Sequence, residues 1–430
     1  HDWAQYYDRI TEMDTKVGQN LKELENAGLT EETIIFYYGD HGSGMPRSKR
    51  SPYNSWLQVP LVIYIPPKFR HLMPKDYKTN GKTNRLAGFV DFAPTLLSLA
   101  GIKPPKHMQG NAFMGKYEAK PQQYQFGFRG RMDERYDMVR SVRNKRYIYI
   151  RNFMPHKIYG QYLDYMFKTP TTRVWKKLYD EGKLKPPQTY FWETKPSEEL
   201  YDLHHDPDEV RNLANSKEHQ KIRDELNKAL QKHILSIRDI GLLSEAETYV
   251  RSKNMTPYEM GQNPQLYDIE NILKMALFAS SGKPTGQTKL IKGLSNKDSA
   301  IRYWAAMGIL MRGKPAVMAS RKELHRALND SSKSVRCIAA EALGKYGTPA
   351  DVTASVNELI KLSDLNEQGL YVAMLALNSL DQLGNKTRPI RDQIAKLPQH
   401  NKSVNRRMRS YINRLVVHIL SKLDAKQKSP

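Results

Sequence analysis

A chain of 430 residues is long enough for about three domains and an ample core. Lys and Arg total 68 against 45 Asp and Glu, a formal charge of +23, so polyanionic partners are favoured: sulfated glycan, nucleic acid or anionic membrane. One cysteine, Cys337, excludes a disulfide framework, and no apolar run is long enough to span a membrane.

Taken in chain order, residues 2–27 place Tyr6, Ile10, Met13, Val17, Leu21 and Leu24 at three- and four-residue steps, which predicts an amphipathic helix stopped near Gly28. Thr33 to Tyr38 and Val59 to Ile65 are nearly continuous apolar runs, the pattern of strands buried on both faces. Between them lies Gly39-Asp40-His41-Gly42, followed by Arg47, Lys49 and Arg50. Asp40 offers a hard oxygen donor and His41 a borderline nitrogen donor to a divalent metal. The glycines allow close backbone approach or positive φ, and Lys49 can place a compact charge on a tetrahedral anion. A solvated turn with a capping Asp and a surface His is the plain alternative. Asp91 to Ala100, with Pro94 in its first turn, reads as a short helix.

From about residue 124 the pattern shifts to strands. Residues 138–143 and 146–150 flank Asn144-Lys145 as a hairpin. Arg129, Arg131 and Arg135 are suited to bidentate recognition of sulfate or carboxylate, or else sit in an exposed basic loop. The aromatics between 153 and 192 suit sugar stacking or, more simply, a small packed core. His156, His204 and His205 show no ligand spacing. Residues 217–238 predict a charged helix, 241–265 a loop or linker, and 268–281 a helix.

Beyond this the chain repeats itself. Residues 301–309 align with 335–343 at an offset of 34, and the same offset maps Ala339 to Ala373 and Leu343 to Leu377. Asp298 and Ser332 are placed as helix caps, Cys337 as a small buried hydrophobe, and 403–423 as the terminal capping helix. Paired helices at a fixed period mark an α-solenoid that resembles HEAT-like repeats.

The run Gly39-Asp-His-Gly42, then Lys49, then Gln58-Val-Pro-Leu-Val62 resembles the formylglycine-dependent sulfatases of the alkaline-phosphatase superfamily. Phe89 to Gly101, Val139 to Ile150, and Glu199-Leu-Tyr-Asp-Leu203 with Asp206 to Ala214 resemble later family segments in the same order. The resemblance spans roughly residues 1–240. It implies an α/β fold with the family's mixed sheet and a small antiparallel C-terminal subdomain, to which the repeats add an α-solenoid. It implies Asp40 and His41 as ligands of a divalent metal, usually calcium, and Lys49 as a sulfate-binding residue. Arg47 has no family role and stands as a possible substrate contact with Arg129, Arg131 and Arg135. The implied activity is sulfuric-ester hydrolysis on a sulfated glycan or another sulfate ester, in the periplasm or outside the cell.

The departures are specific. The family's formylglycine arises from Cys in Cys-x-Pro-x-Arg, and this chain has no such motif: Cys337 sits in Arg336-Cys-Ile-Ala-Ala. The chain therefore reads as the C-terminal portion of a longer sulfatase, inactive alone and prone to aggregate through unpaired strand edges. Four regions are expected: residues 1–120 from the α/β core, 121–240 the C-terminal subdomain, 241–282 a linker and helix, and 283–430 the repeats. All motifs precede residue 215, which predicts that the repeats are dispensable for chemistry. A phosphoesterase of the same superfamily and a non-catalytic binder acting through a protein partner of the repeats remain as alternatives. No signature of a nucleic-acid-binding module is present.

Overall fold

The computed structural model describes residues 1–425. Helix α1 (Asp2–Asn26) forms as its periodicity predicts, yet none of its residues is buried. Strands β1 (Ile35–Tyr38) and β2 (Leu61–Tyr64) form a two-stranded antiparallel ladder pairing Ile35 with Tyr64 and Tyr38 with Leu61. Short α2 (Asn54–Leu57) lies between them and α3 (Phe92–Leu99) follows. The expectation that these strands are buried on both faces does not hold. Val62 is 60% exposed and Tyr64 on the same face is open, as are Tyr38 and Leu61 on the other, because the ladder pairs with no further strand among the described residues.

The second sheet is a four-stranded antiparallel meander: β3 (Gln125–Arg129), β4 (Val139–Arg143), β5 (Tyr147–Asn152) and β6 (Glu198–Asp202). Its β4–β5 turn is held by Asn144 Oδ1, which accepts from the amides of Arg146 (2.9 Å) and Tyr147 (2.7 Å). Between β5 and β6 lie α4 (Asp164–Phe167) and α5 (Pro170–Asp180). Here Leu163, Met166, Phe191 and Trp192 build a satellite core, so most of the aromatics of this stretch pack rather than line an open platform. Helix α6 (Gln220–Ser236) lays Leu226, Leu230 and Ile234 against the sheet.

Residues 241–265 are not a linker. They hold α7 (Glu245–Arg251), capped by Ser244, and α8 (Pro257–Gln262), whose Thr256 and Glu259 form a capping box ahead of Pro257. That signature was legible in Thr256-Pro-Tyr-Glu259. Then come α9 (Ile269–Ser280), α10 (Gln287–Gly293), α11 (Ser299–Met311), α12 (Lys314–Ala319), α13 (Arg321–Ala327), α14 (Lys333–Tyr346), α15 (Pro349–Leu362), α16 (Leu365–Gln368), α17 (Leu370–Leu383), α18 (Arg391–Ala395) and α19 (Tyr411–Ala425). Helices α9, α11, α14, α17 and α19 pack in sequence as one row, with α10, α13, α15 and α18 each set against it. Ala339 and Ala373, related by the 34-residue offset, are both sealed in this row. Asp298 caps α11 through the Ala300 amide, as predicted. Ser332 does not cap α14, because its hydroxyl donates to Glu247 instead.

One apolar core runs from Met138, Tyr149 and Leu200 of the meander through α6 to Leu415 and Ile419 of α19. The repeats are therefore not a separate appendage. They share a core with the sheet that carries the Glu199 motif.

Candidate metal and oxyanion site

The end of β1 turns sharply at Gly39, whose amide donates to Pro60 O, and Gly42, whose amide donates to Trp56 O. Neither glycine has positive φ. Gly42 is required for space: a Cβ there would lie 2.9 Å from Ser48 Oγ and 3.0 Å from Ser55 O. The left-handed backbone falls instead on Arg47 (φ 64°), Arg50 (φ 85°) and Asp133 (φ 46°), a cluster of strained non-glycine residues around one loop.

Asp40 and His41 meet at this turn. His41 Nδ1 is 2.7 Å from Gly42 O, so that nitrogen carries the proton and donates to the carbonyl. In the neutral ring the lone pair then falls on Nε2, which lies 3.6 Å from Asp40 Oδ2, and the Asp40 side chain is 86% exposed. Two such donors can share an ion held about 2.0–2.6 Å from each. The residues present thus fit two positions of a metal shell. Among the described residues no group of three or more His, Cys, Asp or Glu converges on a common point.

Lys49 follows on a loop closed by its own amide to Ser43 O. Its ammonium lies 5.7 Å over the Tyr165 ring and forms no ion pair among the described residues. Arg50 is buried, with its guanidinium 4.7 Å over the same ring and Nε 3.4 Å from Asp133. Tyr165 and Asp133 were not singled out from sequence; only their positions beside Lys49 and Arg50 reveal them.

The tail motif holds this loop. Glu199, fully buried, accepts from Tyr53 (2.8 Å), Tyr201 (2.6 Å) and Asn152 (2.6 Å). Glu209 accepts from the amides of Asn54 (2.8 Å) and Ser55 (3.1 Å), while burial raises its carboxyl against the pull of those amides. Arg47 donates to the carbonyls of Asp208 and Glu209, each at 2.6 Å, and sits 4.9 Å over Tyr53. Arg47 is thus a strut between loop and tail.

The three other arginines lie elsewhere. Arg129 is buried, its Nε 3.7 Å from Asp137 and without a hydrogen-bond partner among the described residues. Burial lowers this guanidinium from its usual range, against the nearby Asp137. Asp137 also accepts from Lys195 at 2.6 Å and 2.8 Å; burial would raise its carboxyl, but Lys195 and Arg129 hold it low. Arg131 donates to Glu245 and the Asp133 carbonyl and lies over Tyr411. Arg135 is sealed at 2% exposure and reaches Asn378 and Asp381. The reading of Arg131 and Arg135 as glycan contacts is corrected: each is turned inward onto a carboxylate of the helical region, Glu245 and Asp381 respectively.

Comparisons with known proteins match two separate parts of the chain. The sulfatase family model matches residues 1–102, and the HEAT-repeat model matches residues 288–364. An ulvan-active sulfatase of Formosa agariphila is 43% identical over 247 residues, covering 57% of this chain and 40% of that protein. Arylsulfatase K of Bos taurus is 27% identical over 220 residues, covering 49% and 33%. A solved structure holding D-glucosamine-2-N,6-O-disulfate as its substrate aligns over 54% of this chain and 40% of its own, at TM-score 0.38 and 22% identity. The chain thus joins a segment similar to sulfatases to a segment similar to HEAT repeats. It spans 40% or less of the length of these two curated relatives.

Proposed function

We propose that this chain supplies the metal and oxyanion part of a sulfuric-ester hydrolase acting on a sulfated glycan. The observation that carries it is the turn after β1. There the Gly42 carbonyl fixes the His41 proton on Nδ1 and leaves Nε2 beside Asp40, with the unpaired Lys49 on the next loop. Asp40 and His41 hold a divalent cation, calcium on the family's resemblance. Such an ion, when bound, polarises a sulfate oxygen. Lys49 places its ammonium on a second oxygen of the sulfate group, where charge develops as the ester breaks. Tyr165 flanks Lys49 and Arg50, and the Glu199 and Glu209 motif holds their loop in place.

The formylglycine of the family does not fit any residue present. Cys337 lies within α14 at 0% exposure, and burial pushes its thiol up, away from reactivity. In this reading residues 1–120 contribute ligands and Lys49, 121–240 brace them, and the helices from 283 onward stiffen the brace. A polysaccharide substrate, too large to cross a membrane unaided, places the protein in the periplasm or outside the cell. Among the described residues no helix is long and apolar enough to cross a membrane.

One observation favours a second reading. A nitrogen and an oxygen donor together suit zinc as well as they suit calcium, and zinc would point to a phosphoesterase of the same superfamily. The test is a polypeptide in which this chain follows a segment bearing Cys-x-Pro-x-Arg, assayed on aryl sulfate and aryl phosphate. Turnover of the sulfate that collapses in Asp40→Asn and Lys49→Ala supports the proposal. Turnover of the phosphate alone, or sulfate turnover indifferent to both variants, rejects it.

A further inference from the structure

We propose that the cleft between α7 and the starts of α11, α14 and α17 binds a segment of anionic glycan, apart from the Asp40 turn. The cleft encloses about 770 Å³. Lys253, Lys297 and Lys333 line it, and none of them forms an ion pair among the described residues. The acids in and beside it are spent. Glu247 is held by Arg251 at 3.0 Å and Ser332 at 2.9 Å, Asp298 by Arg251 at 2.5 Å, and Asp330 by Arg302 at 2.7 Å. The cleft therefore carries uncompensated positive charge. On a surface this basic, charge alone would not single out one place, so the other groups decide.

Two of them suit a sugar. Tyr249 and Tyr371 stack at 4.6 Å and 11°, with their hydroxyls 3.1 Å apart. Tyr249 is 54% exposed and Val250 beside it 72%, an open apolar edge for a pyranose face. Gln368 also lines the cleft, and a side-chain amide can exchange hydrogen bonds with sugar hydroxyls. Helices α14 and α17 also start without a side-chain cap, which leaves first-turn amides for sulfate or carboxylate oxygens. Cations, an aromatic edge and a lining amide together match a sulfated or uronic oligosaccharide.

This inference does not require turnover, so it can fail or stand apart from the hydrolase reading. The 430-residue chain is titrated with fluorescently labelled dextran sulfate oligomers at fixed ionic strength. The triple variant Lys253→Gln, Lys297→Gln, Lys333→Gln is compared with a control that removes three exposed lysines elsewhere: Lys103→Gln, Lys106→Gln, Lys120→Gln. The cleft variant should bind about tenfold more weakly, and the control within about twofold of wild type. Tyr249→Ser should weaken binding as well, with an unchanged melting curve. Equal losses in the two triple variants would reduce the effect to net charge and overturn the proposal. Equally tight, lysine-dependent binding of single-stranded DNA or polyglutamate would overturn the choice of glycan.

Discussion

Arg135 of the β3–β4 connection and Asp381 of α17 form an ion pair of 2.8 Å, with side chains only 2% and 7% exposed. It sits where the meander and the helical row share one core. Arg135 also donates to the Tyr162 carbonyl and Asn378, and Asp381 also accepts from Lys422 at 2.7 Å. Next to it Arg414 of α19 reaches Glu134 at 3.3 Å. The helices thus grip the subdomain that holds the Lys49 loop. This packing argues against the expectation that they are dispensable for chemistry: a cut near Ser281 would strip the sheet of its packing partner and leave Arg135 without its carboxylate.

Asp381→Ala should destabilise the chain by about 3–5 kcal/mol, the usual cost of leaving a buried charge unpaired. Replacing both partners, Arg135→Met with Asp381→Leu, should recover much of that loss. Urea unfolding midpoints of the two variants and wild type decide it. A single-variant loss under about 1 kcal/mol would mean that water, or the Tyr162 and Asn378 oxygens alone, satisfies the Arg135 guanidinium at this junction.

His418, stacked on Tyr162 at 3.8 Å, gives this junction a pH dependence. Burial pushes its imidazole down from 6.5 to about 4; Asp381 opposes the shift, and Arg135 and Lys422 add to it. The unfolded chain then binds the extra proton between about pH 6.5 and 4, so stability falls as pH falls through that window. The full effect is about 3 kcal/mol at most. His418→Gln should flatten the fall in melting temperature between pH 7 and 4.5, whatever its offset at neutral pH. An unchanged slope would place the titration elsewhere.

Asp40, His41 and Lys49 stand out as candidates in the sequence because their pattern is local: one turn, one loop, a fixed spacing. The hairpin at Asn144 and the 34-residue period stand out for the same reason. Arg131 and Arg135 were misread because their partners, Glu245 and Asp381, lie 114 and 246 residues away. No local pattern separates an arginine waiting for a sulfate from one waiting for a distant carboxylate. The roles of Glu199 and Glu209 were hidden likewise, since they act through Tyr53, Asn54 and Ser55.

Glu209→Ala should loosen the Lys49 loop. It removes the acceptor of two backbone amides, each worth about 1–3 kcal/mol when left unsatisfied. Trypsin cleavage after Arg47, Lys49 or Arg50, followed by mass spectrometry, should then run several-fold faster while the far-UV spectrum of the helices persists. Glu209→Gln keeps one acceptor and should fall between. Equal cleavage rates in all three would show that Arg47 and Tyr53 suffice to hold the loop.

The two-donor site predicts how this chain meets a metal. Asp40 is exposed and, among the described residues, His41 Nε2 is its one close partner, so the 430 residues alone should bind calcium or manganese weakly, on the order of millimolar. Manganese is the more useful probe because it accepts an imidazole nitrogen. Asp40→Asn and His41→Ala should each abolish the paramagnetic broadening that manganese produces in nuclei of residues 39–42, and neither should shift the melting point. Broadening that survives both substitutions would place the ion elsewhere. Broadening lost only in Asp40→Asn would make the carboxylate a lone acidic contact and remove His41 from the proposed shell.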